Sequence, residues 1–253
     1  MKILRQTGLV IFSLLFWLWF ILTNIAMFAI ACVIWLFSRP AGRKLFLLHQ
    51  FSSFWGHSYM WLNPLWPTRI YGRKNIRHGK TYVIISNHQS MLDILVLYGL
   101  FRHYKWVSKK ENFSIPIIGW LMRLNNYVEL NRSSKKSYLD TMDHIKWHLG
   151  RGNSVMMFPE GTRGQAGELL PFKEGAFRMA LDNKVGIIPV LLDGTAGTIP
   201  KGKIILSGRT RIRVRIYPEI PYEQFRDKES KQLMSEVREW MAEEYGRIHR
   251  GEL

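Results

Sequence analysis

The chain has 253 residues, with 36 Lys and Arg against 19 Asp and Glu, for a formal charge of +17. That length suits one catalytic domain plus a membrane segment better than two soluble domains, and a lone cysteine, Cys32, excludes an internal disulfide or a cysteine metal cluster and fits a reducing, cytosolic setting. So basic a chain seeks a polyanion, and ten Trp, fourteen Phe and a long apolar start favour anionic membrane lipid over nucleic acid, which is not expected as a partner.

Gln6 to Ser38 contains no charged residue. As a helix it would run roughly 50 Å at 1.5 Å per residue, against a hydrocarbon core of about 30 Å. It is long enough to span; tilt, an interfacial extension, or a bend at Thr23-Asn24 that dips into one leaflet would each absorb the surplus. Ala29 to Cys32 imitates a cleavage or lipid-attachment site, but the apolar run continues through Val33 to Phe37, so a retained anchor is expected. Arg39, Arg43 and Lys44, followed by Arg69, Arg73, Lys74 and Arg77, outnumber Lys2 and Arg5, which places the remainder on the cytoplasmic side of an inner or cytoplasmic membrane. Leu45 to Trp66 reads either as a second helix lying on the membrane or as an ordinary core helix.

Beyond Pro67, short β-rich runs alternate with helical stretches. Strands are expected at Arg69 to Tyr71, Tyr82 to Ser86, Tyr104 to Ser108, Tyr127 to Leu130, Ser154 to Phe158 and Ile187 to Leu192. Helices are expected at Ser90 to Phe101, Pro116 to Leu124, Ser134 to Leu149, Lys173 to Asn183 and Glu229 to Ile248. Lys203 to Leu206 and Ile212 to Tyr217 suggest a hairpin turning at Ser207-Gly208, with Arg209, Arg211, Arg213 and Arg215 along one side of an edge strand, either solvated, set against anionic headgroups or gripping an acidic carrier. The expected fold is α/β: a mixed, largely parallel sheet flanked by helices over residues 67–253, behind an N-terminal membrane-embedded helical segment over residues 1–66.

Two motifs follow strands directly. In Ser86 to Asp93, His88 stands in a loop and Asp93 on the first helical turn, so the carboxylate can hold one ring N–H while the other nitrogen takes a proton. Asp93 also fits an S-x-x-D capping signal behind Ser90, and both roles can coexist. Phe158 to Arg163, with Lys173 following, offers turn amides near Gly161 and basic side chains for a phosphate or an oxyanion, or is a plain glycine turn with solvated charges. No G-x-S-x-G nucleophile elbow is present. Gly197 to Lys203 fits G-x-x-x-x-G-K, yet Ile204 replaces the magnesium-holding Ser or Thr. His144 and His148 share a helix face without HExxH, and no metal is expected.

Taken together, these motifs resemble the 1-acyl-sn-glycerol-3-phosphate acyltransferase family. Asn87-His88 through Asp93 matches its H-x4-D block; Lys110, Glu111, Pro116, Gly119 and Asn131-Arg132 look like its second; Phe158 to Arg163 matches the third and Ile188-Pro189-Val190 the fourth. The resemblance implies that His88 is the general base and Asp93 its partner, and that Arg132, Glu160, Gly161 and Arg163 help bind the acceptor phosphate, a site to which Thr162 and Lys173 are also assigned. It implies acyl transfer from acyl-CoA or acyl-carrier protein to a lysophospholipid acceptor, 1-acyl-sn-glycerol 3-phosphate, with no cofactor beyond that co-substrate. Glycerol 3-phosphate or another lyso-lipid remains an alternative acceptor, and a basic membrane-tethered binding protein is the non-enzymatic alternative.

Overall fold

The computed structural model describes residues 2–41, 45–199, 204–206 and 208–252. Arg43, Lys44, Lys203 and Ser207 therefore lie outside the described residues. The chain begins with a helix, α1 (Lys2–Ala41), followed by α2 (Phe46–Trp61). The central sheet then forms from β1 (Thr68–Tyr71), β2 (Tyr82–Ser86), β3 (Tyr104–Lys109), β4 (Val128–Leu130), β5 (Ser154–Met157), β6 (Gly186–Asp193) and β7 (Ile212–Ile216). Helices α3 (Leu92–Tyr98), α4 (Ile118–Leu124), α5 (Lys135–Gly150), α6 (Gly175–Asp182) and α7 (Ser230–Arg250) connect or close it.

The strand order is β1-β7-β6-β2-β5-β3-β4, and every pairing is parallel except β6 with β7. This is the mixed, largely parallel sheet expected from the sequence. β2 is buried at all five positions, as a strand covered on both faces must be. Its residues alternate between two cores. Tyr82 and Ile84 join Val96, Trp106 and Ile188 on the α2–α3 side, whereas Val83 and Ile85 join Ile145, Phe177, Val237 and Met241 on the α5–α6–α7 side.

Two expectations are corrected. β7 is not an edge strand: it lies between β1 and β6, with Ile212, Val214 and Ile216 buried. Its alternating arginines are half-buried and engaged; Arg213 donates to the Ile248 carbonyl at 2.9 Å, and the Arg215 guanidinium stands 5.5 Å from the Tyr217 ring centroid. Nor do residues 204–206 form a hairpin strand with β7. They run along α1 instead, where Trp17 donates to the Ile204 carbonyl at 2.7 Å and Ser13 Oγ accepts the Leu206 N–H at 2.9 Å.

Within α1, Gln6–Ser38 is long and apolar enough to cross a membrane, and its outer face exposes Leu14, Leu18, Leu22 and Ile25. The mildly polar midpoint is an attachment point to α2. Thr23 Oγ1 lies 2.7 Å from the Tyr59 hydroxyl, which also receives hydrogen bonds from Asn24 at 3.1 Å and Trp55 at 2.8 Å. One face of α2 buries Leu48, Trp55 and Tyr59, as a core helix does, while Phe46, Leu47, Phe54 and Trp61 are exposed.

At the end of β2, buried Asn87 crosses to β6. It donates to the Leu192 carbonyl at 2.9 Å and accepts the Leu192 N–H at 2.8 Å. Asn87→Ala strands both backbone groups in the core, and thermal unfolding in detergent is expected to show a loss of about 2 kcal/mol. An unchanged Tm would show that Asn87 does not tie the two strands together.

Candidate active site

Parallel strands open their carboxyl ends to one side, where loops are free to carry function. His88 follows the end of β2, Phe158 to Arg163 follow β5, Lys109 ends β3, and Arg132 lies just beyond β4. Topology alone thus gathers the two motifs that the sequence separates by about seventy residues.

His88 and Asp93 meet. His88 Nδ1 lies 2.8 Å from Asp93 Oδ2, and the same oxygen accepts the backbone N–H of Gln89 at 2.6 Å and of Ser90 at 3.0 Å. The Asp93 side chain is fully buried and His88 is partly accessible, which is the arrangement of an orienting carboxylate behind a ring that faces solvent. Asp93 also holds the loop as the capping signal suggested. Ser90 Oγ accepts a long 3.4 Å bond from the Leu92 N–H, lies 3.3 Å from Thr198 Oγ1 and is fully buried, away from the position of an exposed nucleophile.

The imidazole plane is fixed by the first residue of the second motif. Phe158 stacks on His88 with centroids 4.1 Å apart and planes 12° from parallel, backed in turn by Trp106 at 5.6 Å. The two loops are also bonded through their backbones. His88 N–H donates to Glu160 Oε1 at 2.8 Å, and the Gly164 N–H donates to the His88 carbonyl at 2.8 Å.

Glu160 therefore sits beneath the site as a bracket. Its other oxygen accepts the Leu170 N–H at 3.1 Å, and the residue is buried. Burial pushes the carboxyl up to about 7, against the backbone N–H bonds from His88 and Leu170 that favour its ionised form. Gly161 adopts φ of 68°, and a Cβ there would stand 3.1 Å from the end of the Lys173 side chain. The Gly161 N–H is already taken by the Phe158 carbonyl at 3.0 Å. The Glu160, Thr162 and Arg163 amides donate no hydrogen bond among the described residues.

A basic cluster adjoins this turn. Lys173 is pulled below its ordinary value, first by desolvation and then by the charges of Arg132 and Lys109, which brings those three cations into one field. Lys109, which the sequence motifs do not single out, ends β3 directly before Lys110. Arg163 lies two residues past Gly161 and ends in no ion pair among the described residues. Like charges held together without an acidic partner among the described residues can receive a dianion. No group of three or more His, Cys, Asp and Glu able to hold a metal occurs among the described residues.

Glu160 makes a pH-dependent contribution of defined sign. Its folded value is raised from 4.5 to about 7, so its favourable term is fully present below 4.5 and is lost as pH rises through 7. Between pH 5 and 8, wild type is expected to lose stability relative to Glu160→Gln, measured as the difference in Tm. A difference that stays constant across that window would contradict the placement of Glu160.

The Acyltransferase family model matches residues 67–193, half of the chain and both loops of the site. The chain is 39% identical over 158 residues to a chloroplastic 1-acyl-sn-glycerol-3-phosphate acyltransferase of Brassica napus, a match covering 62% of this chain and 46% of that protein. The corresponding enzyme of Chlamydomonas reinhardtii is 36% identical over 71% of this chain and 53% of its own length, and that of Saccharomyces cerevisiae 32% over 69% and 58%. The chain thus spans about half the length of the curated relatives it matches. In fold it is similar to the crystal structure of the 1-acyl-sn-glycerophosphate (LPA) acyltransferase PlsC from Thermotoga maritima, with a TM-score of 0.73 at 23% identity, over 99% of this chain and 97% of that one. The chain belongs to the acyltransferase family.

Proposed function

We propose that this chain is a 1-acyl-sn-glycerol-3-phosphate O-acyltransferase, taking its acyl group from acyl-CoA or acyl-carrier protein and forming phosphatidic acid. The observation that carries the reading is the His88–Asp93 pair, with Nδ1 held at 2.8 Å, next to the cations Lys109, Arg132 and Lys173. The named relatives support the acceptor.

Asp93 holds the Nδ1–H, which leaves Nε2 as the free basic nitrogen. The acceptor hydroxyl gives its proton to Nε2 while its oxygen attacks the thioester carbonyl. The resulting oxyanion collapses, the C–S bond breaks, and the thiolate leaves with the proton returned from the imidazolium. Direct transfer needs no acyl-enzyme, consistent with a buried Ser90. Thr162 and Arg163 amides are suited to the oxyanion or to a phosphate oxygen, and Arg132, Arg163 and Lys173 to the acceptor phosphate. Glu160 and Gly161 serve that phosphate indirectly, by holding the turn and by giving Lys173 room.

The reading places α1 in the inner or cytoplasmic membrane and the remaining chain on its cytoplasmic face, among anionic lipids. Residues 1–66 form the membrane-associated part and residues 67–253 the catalytic domain. The exposed leucines of α1 and the apolar outer face of α2 support this arrangement.

Detergent-solubilised protein is expected to acylate lysophosphatidate with labelled acyl-CoA or acyl-carrier protein, in preference to glycerol 3-phosphate and lysophosphatidylcholine. His88→Ala should lower the rate by roughly 10² to 10⁴; near wild-type turnover would sink the mechanism. In the same assay Arg163→Ala should raise the acceptor KM by about tenfold, the scale of one charged hydrogen bond, while leaving the donor KM unchanged. An unaltered acceptor KM would remove Arg163 from the phosphate site.

A further inference from the structure

The family match ends at Asp193, yet a side chain far beyond it reaches both loops of the site. Tyr245 lies on the buried stripe of α7 formed by Leu233, Val237, Met241, Tyr245 and Ile248, and is 1% exposed. Its hydroxyl accepts a hydrogen bond from Gln89 Nε2 and another from the Gly167 N–H at 3.0 Å, and it points its proton toward Asp193 Oδ1 at 3.5 Å. A phenolic oxygen has one proton and two acceptor positions, so all of its capacity is used.

The direction of these bonds matters. Asp193 Oδ1 lies 2.9 Å from His249 Nδ1 and is the acceptor toward which the Tyr245 proton points. The Tyr245 lone pairs then face Gln89 and Gly167. Gln89 is the residue after His88, its own N–H bonds Asp93 Oδ2, and its side-chain oxygen accepts from Thr195 Oγ1 at 3.3 Å. Gly167 belongs to the segment that continues from Arg163, and α7 grips that segment again through Arg238, which donates to the Leu169 carbonyl at 2.9 Å and to the Leu170 carbonyl at 3.2 Å. Burial pushes the Tyr245 hydroxyl up to about 12, so it remains a neutral donor and acceptor at neutral pH.

We propose that Tyr245 is a positioning residue that sets the spacing between the His88 loop and the Arg163 loop from the C-terminal helix, through Gln89 and Gly167. Its effect on rate rests on the activity proposed above, whereas its effect on loop order does not.

The test compares Tyr245→Phe with Tyr217→Phe. The second variant also removes a hydroxyl bonded to α7, the 2.8 Å contact with Glu244, but one that bonds neither loop. Wild-type turnover of lysophosphatidate with acyl-CoA first establishes the activity. Tyr245→Phe is then expected to lower kcat and raise the acceptor KM, each by about three- to tenfold, the scale of one neutral hydrogen bond, while Tyr217→Phe leaves both at wild-type values. Independently of activity, hydrogen exchange of the segment containing Gly164 to Leu170 should accelerate in Tyr245→Phe alone. Equal kinetics and equal exchange in the two variants would overturn the proposal and reduce Tyr245 to a docking contact of α7. If wild type is inactive, accelerated exchange confined to Tyr245→Phe still supports the positioning role while the proposed activity fails.

Discussion

One carboxylate oxygen organises the site. Asp93 Oδ2 receives the N–H groups of Gln89 and Ser90 and lies within bonding distance of His88 Nδ1, all at 3.0 Å or less. An oxygen surrounded by donors holds them at fixed angles to one another, so the loop backbone and the imidazole cannot move independently. Buried negative charge is costly unless hydrogen-bonded, and here the required hydrogen bonds are those that shape the loop. Stability and orientation come from the same contacts.

Glu160 repeats the device one strand away. It binds the His88 N–H and the Leu170 N–H, so the loop after β2 and the segment after β5 share a buried carboxylate. Together with the stack of His88 on Phe158, this gives the imidazole a fixed ring plane and a fixed distance from the Gly161 turn. Lys109 and Arg132 arrive from the ends of β3 and β4, and Lys173 from the segment after β5, where its N–H donates to the Pro159 carbonyl at 2.9 Å. A firmly held base thus stands beside mutually repelling cations.

Much of this was legible in the sequence because local pattern and global placement agreed. Tyr82 to Ser86 is an unbroken apolar run because both of its faces are covered, and the H-x4-D spacing brings His88 to Asp93 because the loop between them closes on the carboxylate. β7 misled for a physical reason: an alternation of Arg with Ile and Val looks like an edge strand, but Arg213 and Arg215 find a helix carbonyl and a tyrosine ring, which allow them to be half-buried inside the sheet. Residues 204–206 pair with α1 rather than with a strand, a contact across nearly two hundred residues that no local pattern encodes. Glu160 reads as a ligand-facing charge in its motif, and only its burial shows that it points at backbone. Tyr245 carries no signal beyond its place on an amphipathic stripe.

The central claim is that Asp93 fixes the tautomer in which His88 presents an unprotonated Nε2. ¹⁵N chemical shifts of the His88 ring, recorded in detergent at a pH where the imidazole is neutral, test it directly. A protonated Nδ1 and a bare Nε2 in wild type, with that preference lost in Asp93→Asn, is the expected result. A wild-type ring protonated on Nε2 would contradict the account, because the nitrogen available to substrate would then have no lone pair with which to take its proton.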